Sequence, residues 1–246
     1  MKNLVKIGVT RLYKNIFFIV CCVLAFLITE WFVSVGPIPQ LAKYGAATNA
    51  IVVSAGIIFF FAMFTGIFYG GEKESGILRN QVMAGYSRKV IFFGRYITLL
   101  IALVVMNLFW ILGAVVAGTK LDAEMLVYIG IEFLYNAAAI AVVLAICSRT
   151  KKQINGVVIS LGIAYLCVTG VLIGNYIYYI TSEISKTAST IVAYVYNLSP
   201  VGQCFARSGI ADEGIDAIWI QLLASLTVLA LGFFFGTFKV SQSDVN

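Results

Sequence analysis

The sequence predicts an all-α polytopic membrane protein with six transmembrane helices, and three observations support this prediction. Hydrophobic residues make up 61% of the 246 residues and charged residues only 11%, whereas a soluble domain carries about a quarter charged residues. The chain contains six apolar runs of roughly 20 residues, the length that crosses a bilayer. Basic residues gather in alternate connections between these runs. We therefore expect residues 1–246 to form a single transmembrane domain.

The first 15 residues predict an amphipathic helix rather than a cleavable signal peptide. Their basic residues are dispersed, and no small-residue cleavage site follows the apolar run that begins at Ile16. At about 100° per residue, one arc of the helix holds the apolar side chains, with Ile7 as the exception, and the other holds the lysines. This pattern favours a helix in the inner membrane interface, with lysines toward anionic headgroups. A solvated basic terminus is the alternative.

The six predicted spans follow the apolar runs of the sequence. A Pro37-Ile38-Pro39 turn separates the first two. The spans cover residues 16–35, 51–69, 96–117, 125–147, 154–173 and 219–238.

The distribution of lysine and arginine predicts the orientation of these spans. With the N-terminus in the cytosol, 13 of the 17 basic residues lie in cytosolic segments, as the positive-inside rule requires. Only Lys43, Lys120, Lys186 and Arg207 lie outside. We therefore expect both termini to be cytoplasmic. The net charge of +6 is explained by this topology, so no nucleic-acid partner is expected.

The stretch from Gly70 to Arg95 is the longest polar segment between two membrane-length apolar runs. Ser75 is a candidate cap for a short helix that Gly85 ends, and Leu78 and Val82 share one face of it. A short helix parallel to the membrane, apolar on one face and charged at its ends, has the shape that fits a groove on a partner. An ordinary basic loop is the alternative.

The longest external segment is predicted to lie between the fifth and sixth spans, at about residues 174–218. It opens with three tyrosines, Tyr176, Tyr178 and Tyr179, which suit the outer headgroup level. Helical spacing follows from Ser185 to Asn197, and Asn197-Leu198-Ser199-Pro200 stops that helix. We expect a half-buried external or re-entrant helix pair rather than a seventh span.

Glu132 is the most unusual residue of the predicted spans. It lies within the fourth apolar run, Asn136 lies one turn further on the same face, and Asn107 lies at comparable depth in the third run. An acid inside a membrane costs a few kcal/mol, on the order of 3, unless it is paired or hydrated. These residues form either a polar patch on a cargo pathway or a structural hydrogen-bond cluster between helices.

Three glycine pairs with GxxxG spacing allow close approach of a neighbouring helix. They are Gly66 with Gly70, Gly170 with Gly174, and Gly232 with Gly236. The pattern is compatible with packing inside one chain or between two chains.

Catalytic and metal-binding functions lack their usual residues. The chain has no histidine, and its five cysteines include no CxxC pair, so neither a metal site nor a catalytic residue is predicted. No G-x-x-x-x-G-K-S/T sequence is present, so the chain has no P-loop with which to hydrolyse ATP. We expect no cofactor on this chain.

The order Glu72, Glu74, Gly76, then Gly85-Tyr86-Ser87-Arg88 after the second apolar run resembles the permease subunits of type-2 ABC exporters. The predicted layout of the whole chain is similar to that family, including Asn197-Leu198-Ser199-Pro200 before the sixth span. The resemblance implies a cytosolic coupling helix that docks an ATPase, and hence docking roles for Glu72, Glu74, Gly76, Ile77, Leu78, Arg79, Val82 and Arg88.

The resemblance also implies the assembly. Two permeases, copies or paralogues, would each hold one ABC ATPase in a bacterial plasma membrane, with ATP and Mg bound to the ATPases. Gly170 and Gly174 would lie near the permease–permease contact. The cargo would be amphipathic or hydrophobic: a peptide, an antimicrobial peptide or a drug.

Two other functions compete with this interpretation. An ion- or proton-coupled carrier or channel would use Glu132 as its coupling acid, but it would leave the basic docking segment without a role. An intramembrane enzyme is disfavoured because the sequence contains no histidine and no G-x-S-x-G motif.

Overall fold

The structure is a computed structural model that describes residues 1–36, 45–150, 152–208, 215 and 217–238. The described residues form ten helices and no strand. In chain order these are α1 (Lys2–Tyr13), α2 (Ile16–Val35), α3 (Gly45–Glu74), α4 (Ile77–Met83), α5 (Arg88–Val116), α6 (Ala123–Arg149), α7 (Gln153–Ile184), α8 (Lys186–Asn197), α9 (Pro200–Arg207) and α10 (Ile218–Thr237).

Six of these helices are long and apolar enough to cross a membrane, among the residues that the structure describes. They are α2, α3, α5, α6, α7 and α10. This confirms the prediction of an all-α protein with six membrane-length helices. The Pro37-Ile38-Pro39 turn, and the Lys43, Lys151 and Lys239 used for orientation, lie outside the described residues.

Several helices extend beyond the predicted spans. Helix α5 begins at Arg88 rather than at residue 96, because the Ser87 hydroxyl caps it by accepting from the Val90 amide at 3.3 Å. Helix α7 continues through Tyr176, Tyr178 and Tyr179 to Ile184, so these tyrosines belong to a long helix and not to a loop. The predicted limits followed apolarity, whereas a helix ends only where its backbone hydrogen bonding ends.

The capping role suggested for Ser75 is wrong. The Ser75 hydroxyl donates to the Glu72 carbonyl at 3.4 Å, and α4 instead follows Gly76, whose φ is +74°. Gly85, with φ +88°, follows the other end of α4. Both turns use the left-handed backbone conformation that glycine adopts without steric cost, so α4 is a separate short helix between two sharp turns.

Two short helices, α8 and α9, lie between the last two long helices, and their external or re-entrant position in a membrane stays a prediction. The sequence Asn197-Leu198-Ser199-Pro200 ends α8 and also starts α9, since the Ser199 hydroxyl accepts from the Gly202 amide at 3.2 Å. Helix α9 packs against α3, α6 and α7. Its Gln203 and Cys204 are each 1% exposed, so this pair belongs to the core of the bundle.

Contacts between helix ends define one end of the bundle. Helix α1 packs on α5. The end of α6 meets the end of α10, where Arg149 donates to the Phe238 carbonyl at 3.2 Å. The end of α10 also meets the start of α5, because a Cβ at Gly236 would lie 2.2 Å from the Phe92 ring. The described basic residues before residue 15, between α3 and α5 and around the end of α6 therefore share one end.

The glycine pairs serve mainly close packing inside this chain. A Cβ at Gly66 would lie 3.1 Å from the Val157 backbone in α7. A Cβ at Gly174 would lie 2.9 Å from the Tyr196 ring, whereas Gly170 faces open space among the described residues. The permease–permease contact assigned to Gly170 and Gly174 stays a prediction.

Valine at Gly232 is expected to destabilise the protein by about 1–3 kcal/mol, the usual cost of overpacking. A Cβ at Gly232 would lie 2.9 Å from backbone atoms of Ala141 and Val142 in α6, and backbone cannot rotate away. Thermal unfolding in detergent measures the effect. Alanine at Gly130, which has no neighbour within 4 Å, is the control and should be neutral or stabilising. Equal melting temperatures for both variants would contradict the packing described.

Candidate functional site

A buried ion-pair cluster joins three helices at the basic end of the bundle. It consists of Arg11 of α1, Glu72 of α3 and Arg95 of α5, and we call it the Glu72 cluster. Arg95 Nη2 donates to Glu72 Oε2 at 2.6 Å, and Arg11 Nη1 donates to Glu72 Oε1. The side chain of Glu72 is 3% exposed and that of Arg95 is 10% exposed. One enclosed carboxylate thus binds two guanidinium groups, of which that of Arg95 is nearly buried and that of Arg11 is partly exposed.

Aromatic rings complete this arrangement. The Arg11 guanidinium lies 5.0 Å from the centre of the Phe68 ring, and that of Arg95 lies 5.2 Å from the Tyr69 ring. Cations over ring faces gain electrostatic energy, more so where water is excluded. Since charges leave water only when they are paired, the cluster sets the relative positions of α1, α3 and α5.

Helix α4 lies directly beside the Glu72 cluster. Gln81 of α4 lines a cavity of about 20 Å³ together with Arg11, Glu72 and Arg95. None of the α4 residues is buried. Ile77 is 36%, Val82 38% and Met83 68% exposed. Arg79 is exposed as well. Helix α4 therefore exposes apolar and basic side chains, and it lies beside the buried ion pairs of the Glu72 cluster.

The predicted docking residues fall into different environments. Ile77, Arg79 and Val82 are exposed, whereas Leu78 is half-buried. Gly76 forms the turn before α4 and Arg88 is the first residue of α5. The side chain of Glu74 lies outside the described residues. Glu72 differs from all of these because its carboxylate is enclosed within the chain, so it contacts Arg11 and Arg95 rather than an outside surface.

A second polar site lies in the middle of the bundle and consists of Asn107, Glu132 and Asn136, which we call the Glu132 cluster. The Nδ2 atoms of Asn107 and Asn136 each donate to one Glu132 oxygen at 2.5 Å. Glu132 is 0% exposed, Asn136 1% and Asn107 5%. The structure thus brings together the three polar residues that the sequence placed at similar depth. Glu132 lies nine residues from the start of α6, about 14 Å along its axis.

A hydroxyl–thiol cluster lies on the same face of α6. Ser54 Oγ is 2.6 Å from the Tyr128 hydroxyl and 3.2 Å from the Tyr135 hydroxyl, and these two hydroxyls are 3.1 Å apart. Cys204 Sγ donates to the Ile51 carbonyl at 3.2 Å. Burial raises the pKa of the Cys204 thiol to about 11, so it stays protonated near neutral pH and can donate this hydrogen bond.

Sequence reasoning missed the Glu72 cluster and the hydroxyl–thiol cluster. A signal for the second was present, because Tyr128, Glu132, Tyr135 and Asn136 follow the helical spacing i, i+4, i+7, i+8 in an apolar run. The partners Ser54 and Cys204 carry no comparable signal. In the sequence, Arg11 and Arg95 are simply basic residues of the predicted cytosolic segments. Arg11 is 61 positions and Arg95 is 23 positions away from Glu72 along the chain, so their pairing with Glu72 depends on how the helices pack.

The fold and these sites define the class: a multi-pass helical membrane protein with a buried ion-pair cluster and a buried polar cluster. Compared with models of known protein families and with curated protein sequences, the chain has no match. Among the described residues, no group of three or more His, Cys, Asp or Glu side chains is placed to hold a metal ion.

Proposed function

We propose that the chain is the membrane-spanning permease subunit of an ATP-driven exporter. A separate ATPase, present in two copies, would dock on α4, and a second permease would complete the complex. The cargo would be an amphipathic or hydrophobic molecule such as a peptide, an antimicrobial peptide or a drug. We place the protein in a bacterial plasma membrane with both termini in the cytoplasm, which agrees with the shared basic end of the bundle.

The observation that carries this proposal is the exposure of α4 next to the Glu72 cluster. A helix of seven residues with none of them buried gains little stability from its own chain, since short helices depend on packing. Its exposed Ile77, Val82 and Met83 gain burial only from another surface. A partner groove is the environment that suits such a helix.

The Glu72 cluster supports a mechanical role for α4. Only four residues separate Glu72 from Ile77, and Glu72 is bound to Arg11 of α1 and Arg95 of α5. A displacement of α4 by a partner would therefore act on three helices together, because separating these buried charges is costly. In this mechanism the partner supplies the energy of ATP hydrolysis, and the Glu72 cluster passes the movement to the spans.

An ion- or proton-coupled carrier or channel is the second candidate, and the Glu132 cluster favours it. A fully buried acid next to four hydroxyl and thiol groups is the kind of residue set found on intramembrane ion pathways. Both Glu132 oxygens already accept hydrogen bonds from asparagine amides, however, as expected of a structural cluster. This candidate also leaves the exposed α4 without a function.

The introduction of negative charge on α4 tests the proposed docking. Replacing Arg79 and Val82, exposed neighbours one turn apart, with glutamate (R79E/V82E) is expected to reduce co-purification of an MgATP-hydrolysing subunit by about tenfold or more, as loss of a central contact does. The protein should still insert and melt as the wild type does, because both side chains are exposed. The affinity-tagged chain is purified from membranes of its own host. The ATPase activity and the amount of ATPase subunit that co-purify with it are then measured.

The matched control makes the same change in net charge at the other end of the bundle. Ser182 and Lys186 are both exposed, and S182E/K186E should leave co-purification unchanged. Equal recovery of ATPase activity from both double variants would contradict docking on α4. Labelling of an Arg79→Cys variant by an impermeant thiol reagent added outside intact cells would contradict the proposed orientation.

A further inference from the structure

A groove lies on the surface of the bundle between α6 and α10, away from the Glu72 and Glu132 clusters. Its volume is about 370 Å³, within the range of small-molecule sites. The groove runs for about two helical turns, and all of its lining residues except one are apolar. They are Val142, Ala145, Ile146, Arg149, Val228, Leu231, Gly232 and Phe235.

Gly232 brings the two helices together beside the groove. The glycine lets α10 approach the α6 backbone at Ala141 and Val142. Leu231 is 47% and Phe235 49% exposed, so the groove opens to the lipid side of the bundle. An open apolar groove of this kind suits a hydrocarbon chain.

Arg149 closes the groove at the basic end of the bundle. Its Nη2 atom donates to the Phe238 carbonyl at 3.2 Å and to the Phe235 carbonyl. The guanidinium lies 5.8 Å from the centre of the Phe235 ring. These contacts hold the side chain in place, and no carboxylate of the described residues pairs with it. Since a guanidinium carries five N–H donors, Arg149 keeps donors for an anion.

We propose that this groove binds an anionic phospholipid, with one acyl chain along α6 and α10 and the phosphate against Arg149. Charge complementarity carries the choice of occupant, because the guanidinium of Arg149 is held in place where an apolar groove meets the headgroup level. Lys152, exposed three residues after Arg149, adds to the positive charge at this level. Basic pockets between transmembrane helices bind anionic headgroups in this way. The proposal does not depend on the exporter function.

The test is lipid retention by the purified full chain, measured by native mass spectrometry after delipidation and incubation with equal amounts of phosphatidylglycerol and phosphatidylcholine. The wild type is expected to retain phosphatidylglycerol preferentially. Arg149→Gln should reduce that preference by about fivefold, the effect of one basic residue near an anionic surface. Lys89→Gln removes the same charge from another exposed position near this end and should leave the preference unchanged.

A second pair of variants tests the groove without touching Arg149. Val228→Trp fills the groove and should abolish retention of both lipids. Leu226→Trp places the same bulk at a 53% exposed position of α10 outside the groove and should have no effect. Melting temperatures of all four variants show that they are folded.

Three results would overturn the proposal. The first is equal loss of preference in Arg149→Gln and Lys89→Gln, which would indicate general charge attraction. The second is a lower melting temperature of Arg149→Gln with unchanged lipid retention, which would leave Arg149 only the role of capping α10. The third is retention of phosphatidylglycerol by Val228→Trp at the wild-type level.

Discussion

Alanine at Glu72 is expected to destabilise the protein by about 3–5 kcal/mol, the cost of leaving a buried charge without its partner. Arg95, 10% exposed, would lose its only described ion-pair partner inside the bundle. Arg11, 38% exposed, can turn toward water, so most of the loss comes from Arg95. The free energy of unfolding, measured by denaturation in mixed detergent micelles, checks this expectation.

Two further variants separate the buried charge from other effects of the substitution. Glu183→Ala removes an exposed acid from the end of α7 and should change the unfolding free energy by less than about 0.5 kcal/mol. The double variant Glu72→Leu/Arg95→Met replaces the pair by apolar side chains and should recover most of the stability, as such replacements do elsewhere. Equal stability of Glu72→Ala and Glu183→Ala would contradict the burial of this ion pair.

The stable double variant also tests the mechanical role proposed for the Glu72 cluster. If the buried charges transmit movement from α4, Glu72→Leu/Arg95→Met should still co-purify with the ATPase but show reduced transport. Unchanged transport would restrict the cluster to a role in stability, while docking on α4 would still stand.

The second large effect is expected at Glu132. Alanine at this position removes the acceptor of two buried amides, those of Asn107 and Asn136, and should destabilise the protein by about 2–4 kcal/mol. Glutamine keeps the size of the side chain. It can accept from one asparagine and donate to the Oδ1 atom of the other, and both Oδ1 atoms have no hydrogen-bond partner at present. We therefore expect Glu132→Gln to remain within about 1 kcal/mol of the wild type.

The glutamine variant also distinguishes the two candidate functions. A coupling acid must gain and lose a proton, which glutamine cannot do, so a carrier would lose ion- or proton-coupled transport with Glu132→Gln while remaining folded. If the Glu132 cluster is only structural, the Glu132→Gln variant should transport at the wild-type rate. Transport by Glu132→Gln in proteoliposomes, compared with its unfolding free energy, is the measurement. Loss, at unchanged stability, of transport that an ion or proton gradient drives without ATP would favour the carrier over the exporter.

The sequence predicted the helices better than their ends or their contacts. Six apolar runs gave six membrane-length helices, because crossing lipid requires a helix of that length and apolarity. The start of α5 was misplaced because Arg88 and Lys89 are polar, yet Ser87 caps the helix before them. The continuation of α7 to Ile184 was missed because polar residues such as Asn175 and Ser182 do not interrupt a helix.

The candidate sites were predictable to different degrees. Asn107, Glu132 and Asn136 were found together because each is a polar residue at similar depth in an apolar run, where it requires a partner. Glu72 was assigned to the protein surface because its neighbours in sequence are polar. The groove beside Arg149 has no sequence signal, since its residues on α10 are ordinary apolar side chains far along the chain from α6.

The amino-acid sequence by itself determined the class of this protein, the number of membrane-length helices and the end of the bundle at which basic residues gather. These depend on local properties, namely hydrophobicity over about 20 residues and charge in the connections between them. Tertiary structure alone decided that Arg11, Glu72 and Arg95 meet, that α9 packs among the long helices, and that α4 stays exposed beside them. The pairing of charged residues and the burial of helix faces depend on contacts between helices from distant parts of the chain.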